Sequence, residues 1–263
     1  MKKFALVTGA TSGIGKAMAE KFAQQKHNLI LVSKANNIDV LNRQADVLAK
    51  QHDIEVLAIA ADLEKKDAAR TVYEAVKALG VHVQILVNNA GFGVCGLFVK
   101  TDLTHEINMI HVHAICTTEM TKLFLPDMVT NGCGRIMNIA STSAYTPVSN
   151  MAVYAATKAY IDSFSKAVNM ELKGTGVTVT VVSPGATHTG FIEKAGMENT
   201  LLFRLFVMRP EAVADVGYKA MMRGKRCVVA GIYNKLLTSL SGIMPLTVKM
   251  SIAKVMTDTE RNR

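Results

Sequence analysis

The sequence predicts an α/β fold, a single doubly wound domain whose seven-stranded parallel sheet is covered by helices on both faces. Short β-branched and aliphatic runs alternate with longer amphipathic segments, the rhythm of strands buried on both sides and joined by crossover helices. A glycine-rich turn follows the first of these runs directly. With 263 residues, 49% of them hydrophobic and 19% charged, the chain can bury a sizeable core, and its length suits one large domain better than two small ones.

The first strand is FALVT, residues 4–8. Its apolar run stops at Thr8-Gly9, so the start MKKFALV reads as a strand and not as a secretory leader. A helix over 13–26 leads to the second strand, LILVS at 29–33, and a helix over 39–51 leads to EVLAIAA at 55–61. The remaining strands are QILVNN at 84–89, RIMNIAS at 135–141, VTVTVVS at 177–183 and CVVAG at 227–231. Amphipathic segments place helices between them at 65–79, 103–129, 152–173 and 210–222. No repeat, linker or low-complexity tract divides residues 1–263. Residues 186–209 stand outside the rhythm and carry FI, LLF and LF pairs, as a substrate-loop excursion over a ligand site or as an ordinary surface insertion. Residues 233–263 form a C-terminal extension, apolar but interrupted by Ser, Thr, Pro245 and Lys249, which argues against a transmembrane helix.

A formal net charge of +9 and a pI near 9.4 favour anionic ligands such as phosphates, acyl-thioester carriers or acidic lipid. The lysines and arginines are scattered, form no basic run with interleaved aromatics, and Trp is absent, which speaks against nucleic-acid binding. Cys95, Cys116, Cys133 and Cys227 have neither disulfide-framework nor metal-site spacing, so the expectation is reduced thiols, no metal and a cytoplasmic location.

TGATSGIG, residues 8–15, lies between the first strand and the first helix. Such a turn presents backbone N–H groups and the positive end of a helix dipole to a pyrophosphate. Gly9 permits the tight turn, Gly13 lets the backbone approach phosphate and Gly15 lets helix and strand pack closely, with Thr11, Ser12 and Ile14 completing the cradle. At the end of the second strand an NAD site places an acid, whereas a 2′-phosphate requires that acid absent and a cation near. Here Ser33 stands in the acid's place and Lys34 follows, which favours NADP(H) over NAD(H).

Two tyrosines precede a lysine by one helical turn: Tyr154 in YAATK and Tyr73 in YEAVK. Residues four apart share a helix face, so either lysine can sit beside its tyrosine and favour the phenolate. Tyr145 and Tyr160 have no lysine four positions on and read as packing residues, or for Tyr145 a pocket wall.

The ordered set TGATSGIG, Asp62 in ADL, NNAG at 88–91, Ser141 in NIAS, YAATK at 154–158 and PGATHT at 184–189 resembles the motifs of the short-chain dehydrogenase/reductase family across residues 4–190. The resemblance implies a Rossmann-type domain with strand order 3-2-1-4-5-6-7. It also implies a carbonyl reductase in which Tyr154 is the general acid/base, Ser141 steadies the substrate oxygen and Lys158 holds the nicotinamide ribose. In the family a serine ends the fifth strand thirteen positions before the tyrosine, as Ser141 does here; Tyr73 has Ala60 at that offset. Carried over in the same way, Asp62 and Leu63 contact adenine. Asn88, Ala90 and Gly91 support the sheet beside the ribose, and Pro184, Gly185, Thr187 and Thr189 meet the nicotinamide. Association into a homodimer or homotetramer is also implied.

His113, in MIHVHAIC, falls where many members have an asparagine that holds a proton-relay water. It either takes over the relay, since imidazole can donate and accept near neutrality, or is a buried helix histidine. Met197, Met208, Met244, Met250 and Met256 suit an adaptable apolar pocket for a 3-oxoacyl thioester, a steroid or a similar ketone. The C-terminal extension serves that pocket, a subunit interface or peripheral contact with a membrane. A non-catalytic NADP(H)-binding sensor is the alternative of a different class, and an epimerase or dehydratase using transient oxidation is a third.

Overall fold

The computed structural model describes residues 2–197, 200–201 and 207–258. Strands β1 (Lys3–Thr8), β2 (Asn28–Ser33), β3 (Val56–Ala60), β4 (His82–Asn88), β5 (Gly134–Ile139), β6 (Val177–Ser183) and β7 (Cys227–Val229) form one parallel sheet in the order 3-2-1-4-5-6-7. This is the Rossmann-type order anticipated above. The chain reverses its winding direction between β1 and β4, and in doubly wound sheets a ligand crevice opens at that switch.

Side chains alternate along each strand, so the two faces build two cores. Phe4, Leu6, Ile30, Val32, Leu86, Ile136 and Val179 pack under α3 (Ala68–Ala78) and α5 (Thr117–Thr130). Ala5, Val7, Leu29, Leu31, Val87, Met137 and Val182 pack under α1 (Gly13–Gln24), α2 (Ile38–His52) and α8 (Pro210–Met222). The near-continuous apolar runs of the inner strands thus have a direct reason: they have no solvent face to dress with polar residues, unlike the partly exposed edge strands β3 and β7.

Two helical regions differ from the expectation. The segment expected as one helix over 103–129 is α4 (Leu103–Ile110) joined to α5 through a π-helical stretch, His111–Cys116, which shifts the side chains around His113 by part of a turn. The C-terminal extension, in which no helix was placed from sequence, contains α9 (Ile232–Ser241) and α10 (Leu246–Thr257), with most of their apolar side chains exposed. Of residues 186–209, α7 (Phe191–Lys194) is short, and 198–199 and 202–206, which hold most of the Leu and Phe pairs, lie outside the described residues. A parallel bridge joins Thr187 to Met208 and closes the base of this excursion.

α6 (Ala152–Glu171) is anchored by a buried polar chain. Asn88 Nδ2 donates to Asn138 Oδ1 at 2.8 Å, Asn138 Nδ2 donates to Ser165 Oγ at 2.9 Å, and Ser165 Oγ donates to Ile161 O at 2.6 Å. Because buried polar groups are costly unless paired, this chain fixes the rotation of α6 against β4 and β5, and with it the direction of Tyr154 and Lys158.

Candidate active site

A cleft of about 1100 Å³ opens where the strands end at their carboxyl edge, and residues following β1, β2, β3, β4, β5 and β6 line it. At one end lies the glycine turn. Gly9 and Gly13 have φ of +66° and +53°, a region that side chains with a Cβ rarely adopt, and at Gly15 a Cβ would collide with the Gly9 carbonyl. Ser12 caps α1 without a side-chain hydrogen bond, leaving the first-turn N–H groups facing the cleft wall formed by Gly9, Thr11, Ser12, Gly13 and Ile14. The cradle suits a dinucleotide pyrophosphate in backbone shape and in dipole sign.

Ser33 lines the cleft and its hydroxyl lies 3.2 Å from that of Thr11, tying β2 to the glycine turn. Lys34 also reaches the cleft, but as one partner of an ion pair with Glu64, with Asp62 at 3.6 Å. Burial works against its ammonium, yet the hydrogen bond and charge of Glu64, followed by Asp62, hold the pKa above the usual lysine value. Without a ligand, the Lys34 charge is thus shared with two carboxylates.

Ser141 N-caps a short 3-10 turn after β5, and its Oγ accepts from Ser143 N at 3.2 Å, so the hydroxyl hydrogen remains available to donate. Tyr154, in the first turn of α6, meets Ser141, His113 and Phe191; the ring centroids of the last two are 5.8 and 5.3 Å away. Burial pushes its phenol up to about 12, and interaction with the Ser141 side chain only partly offsets this. Lys158 shares the Tyr154 face. Its Nζ donates to Ile139 O at 3.0 Å and lies 5.6 Å from the Tyr154 ring centroid. Burial lowers its pKa to about 7. The ammonium therefore stands over the ring face and not at the phenol oxygen, and in the protein by itself desolvation, not the lysine charge, governs the tyrosine.

His113 is 1% exposed and both ring nitrogens are occupied. Nε2 accepts from Phe92 N at 3.3 Å, which leaves the proton on Nδ1, 2.9 Å from Thr157 Oγ1; that hydroxyl in turn donates to Tyr154 O at 2.8 Å. Burial, with the Lys158 charge second, holds the imidazole well below its usual range. This is the geometry of a buried, hydrogen-bonded histidine, one of the two alternatives left open above. Gly91 accompanies it, since a Cβ there would strike the imidazole.

Leu63, Ala90, Gly91, Pro184, Gly185, Thr187 and Thr189 all line the cleft. Gly15, Asp62 and Asn88 do not. Gly15 packs against Gly9, Asp62 accepts from Glu64 N within its own turn, and Asn88 is turned into the polar chain under α6. The neighbouring Asn89, absent from the expected set, lines the cleft and donates from Nδ2 to Thr8 O at 2.9 Å, bracing the glycine turn. Its signal was the second asparagine of NNAG. Phe191, Met197, Leu237, Met244, Ile252 and Met256 form apolar wall beyond Tyr154, contributed by the excursion and the C-terminal helices.

Comparison with known proteins agrees with this arrangement. The family model described as short chain dehydrogenase matches residues 3–199. A very-long-chain 3-oxoacyl-CoA reductase of Mus musculus is 31% identical over 99% of this chain and 81% of its own length. Among solved structures, a short-chain dehydrogenase from Sphingobium yanoikuyae in complex with NADPH superposes with a TM-score of 0.81 at 29% identity, covering 93% of this chain and 95% of that one. The bulky-bulky ketone specific alcohol dehydrogenase from Comamonas testosteroni follows at a TM-score of 0.76 and 28% identity, over 93% and 94% of the two chains.

Proposed function

The chain belongs to the short-chain dehydrogenase/reductase family of nicotinamide-dependent oxidoreductases, and from that premise we propose that it reduces a hydrophobic ketone with NADPH, with a long-chain 3-oxoacyl thioester as the substrate class. The observation that carries this reading is one continuous cleft that joins a phosphate cradle, the Ser141, Tyr154 and Lys158 group, and an apolar wall of Leu, Met and Ile. The nicotinamide, when bound, supplies the hydride or takes it up. The residues of the chain do the rest. Tyr154, held protonated at neutral pH by burial, gives its phenol proton to the substrate oxygen, and Ser141 donates a hydrogen bond to that oxygen as negative charge grows on it. Lys158, steadied on the Ile139 carbonyl, favours in its charged form the phenolate that Tyr154 becomes on giving up its proton.

NADP(H) is favoured because no carboxylate ends β2 and Lys34 lies in the cleft. A 2′-phosphate there has to draw Lys34 away from Glu64. Copies of the chain associate through α4, α5 and α6 in this reading, which covers the exposed Ile107, Ile115 and Tyr160.

The test is loss of reduced-cofactor absorbance with purified protein, NADPH or NADH, and a panel running from small ketones to steroids and 3-oxoacyl thioesters of increasing chain length. The expected result is turnover that rises with chain length and is faster with NADPH. Tight NADPH binding with no turnover on any member of the panel would overturn the catalytic reading in favour of a cofactor-binding sensor.

A further inference from the structure

α9 and α10 are amphipathic in the reverse sense. On α9 the polar side goes inward: Asn234 is 9% exposed, donates to Ala230 O at 2.7 Å and fills the space that a Cβ at Gly185 would need. Ile232, Leu236 and Leu240, spaced by four and hence on one face, point to solvent, with Ile232 78% exposed. The turn between the helices carries Ile243 at 84%, and α10 adds Leu246, Val248, Ile252 and Val255 as exposed side chains. Burial of apolar area drives folding, so a face built this way is complete only against something apolar.

The charges on the same segment are of one sign. Between Asp215 and Asp258 there is no Asp or Glu, while α9 and α10 carry Lys235, Lys249 and Lys254. A second apolar exposure stands next to this one. The loop Leu97-Phe98-Val99, with Val99 88% exposed and Lys100 following, is held by Gly96 N donating to Asn150 O at 2.8 Å. One residue away, Ser149 O accepts from Thr257 Oγ1 at 3.1 Å at the end of α10. The loop and the helical pair therefore meet at one rim of the cleft.

We propose that α9, α10 and the 97–99 loop form an interfacial anchor that lays the mouth of the cleft on an anionic lipid bilayer. Exposed apolar side chains enter the boundary between headgroups and acyl chains, and the lysines meet the anionic headgroups. Helices of 10 and 12 residues are far too short to span a hydrocarbon core of about 30 Å, and among the described residues no helix is long and apolar enough to cross a membrane, so the contact is parallel to the surface. A second copy of the chain fits less well. A twofold interface sets a patch against itself, which here opposes lysines to lysines with no carboxylate on the helices to pair them. The same helical pair borders the cleft through Leu237, Ile252 and Met256, with Met244 in the turn between them, so an acyl chain would pass from bilayer to site without crossing water, a consequence that rests on the substrate reading above.

The full chain is mixed with vesicles of phosphatidylcholine, with or without phosphatidylglycerol, and floated through a density gradient. Flotation with the anionic vesicles, weakened by added salt, is expected. The double variant Leu236→Glu/Leu240→Glu should bind at least about tenfold less while keeping its activity on a small water-soluble ketone, because neither side chain lines the cleft. Should that variant fold poorly, Lys235→Glu/Lys254→Glu reads the charge component alone, with the same loss expected. The proposal is overturned if the wild type stays at the bottom of the gradient, if neutral vesicles carry it equally well, or if the variants float unchanged. It is equally overturned if the wild type does not float and Leu236→Glu/Leu240→Glu turns a larger assembly into monomers, which would assign the face to contact between copies.

Discussion

Tyr73 and Lys77 on α3 and Tyr154 and Lys158 on α6 are built alike at short range. Each lysine lies over its own tyrosine ring, 5.8 Å from the centroid in the first pair and 5.6 Å in the second. Each tyrosine also has an aromatic partner edge-on, Phe124 at 5.1 Å and His113 at 5.8 Å. The surroundings then part. The Tyr73 hydroxyl and the Lys77 ammonium both reach Asp127 Oδ2 at 3.4 Å, the tyrosine half-buried and the lysine exposed, whereas Tyr154 faces Ser141 in the cleft and Lys158 is 5% exposed. A tyrosine and a lysine four apart are therefore common helix geometry; burial of the lysine and a serine hydroxyl at the end of a strand set apart the pair proposed above as the acid site.

The widest separation between the two pairs should appear in catalysis. Tyr154→Phe is expected to lower kcat/KM by about 10^3-fold, within the range for a lost general acid, and Tyr73→Phe to leave it within about twofold. Steady-state NADPH oxidation measures both, and equal effects would erase the distinction. Second is the pH dependence of stability. Because burial lowers Lys158 to about 7 from 10.5, the unfolded chain binds more protons between those values. The wild type should therefore gain stability relative to Lys158→Met as pH rises through that window, by at most about 1.4 kcal/mol per pH unit, and lose it as pH falls toward 7. Melting curves across the window read this directly. A flat difference would mean that Lys158 is no more enclosed than Lys77.

His113→Phe makes the Tyr154 pair resemble the Tyr73 pair more closely, since Tyr73 already has a phenylalanine edge. Losing the bond to Thr157 and leaving Phe92 N without its acceptor should cost about 1–3 kcal/mol, read by chemical denaturation. The shape of the pH–rate profile should stay as in the wild type. A displaced profile would restore the relay role. The smallest effect belongs to Asp127→Asn, which removes the carboxylate from the exposed pair and should change stability by no more than about 1 kcal/mol and activity not at all.

Much of this was legible in the residues themselves. Strand positions followed from β-branched runs of five to seven residues, and the glycine turn, Ser141, Tyr154, Lys158 and the PGATHT segment fall around one cleft as their motifs anticipate. Three features were not legible. The ion pair of Lys34 was not legible because Glu64, its partner, lies on another strand's loop. Which of its two readings His113 fits was not legible because its partners, Phe92 and Thr157, are 21 and 44 positions away. The outward turn of the apolar face of the C-terminal helices was not legible, because a periodic pattern does not say which way a helix is turned.

What the sequence determined by itself is whatever rests on local periodicity and order: which residues alternate across a strand, which share a helix face, and in what succession the glycine turn, the serine and the tyrosine arrive. The tertiary structure alone decided which tyrosine is desolvated, which nitrogen of His113 carries the proton, and what pairs with Lys34. The physical reason is that desolvation and hydrogen-bond partnership are set by groups distant in the chain and adjacent only in space.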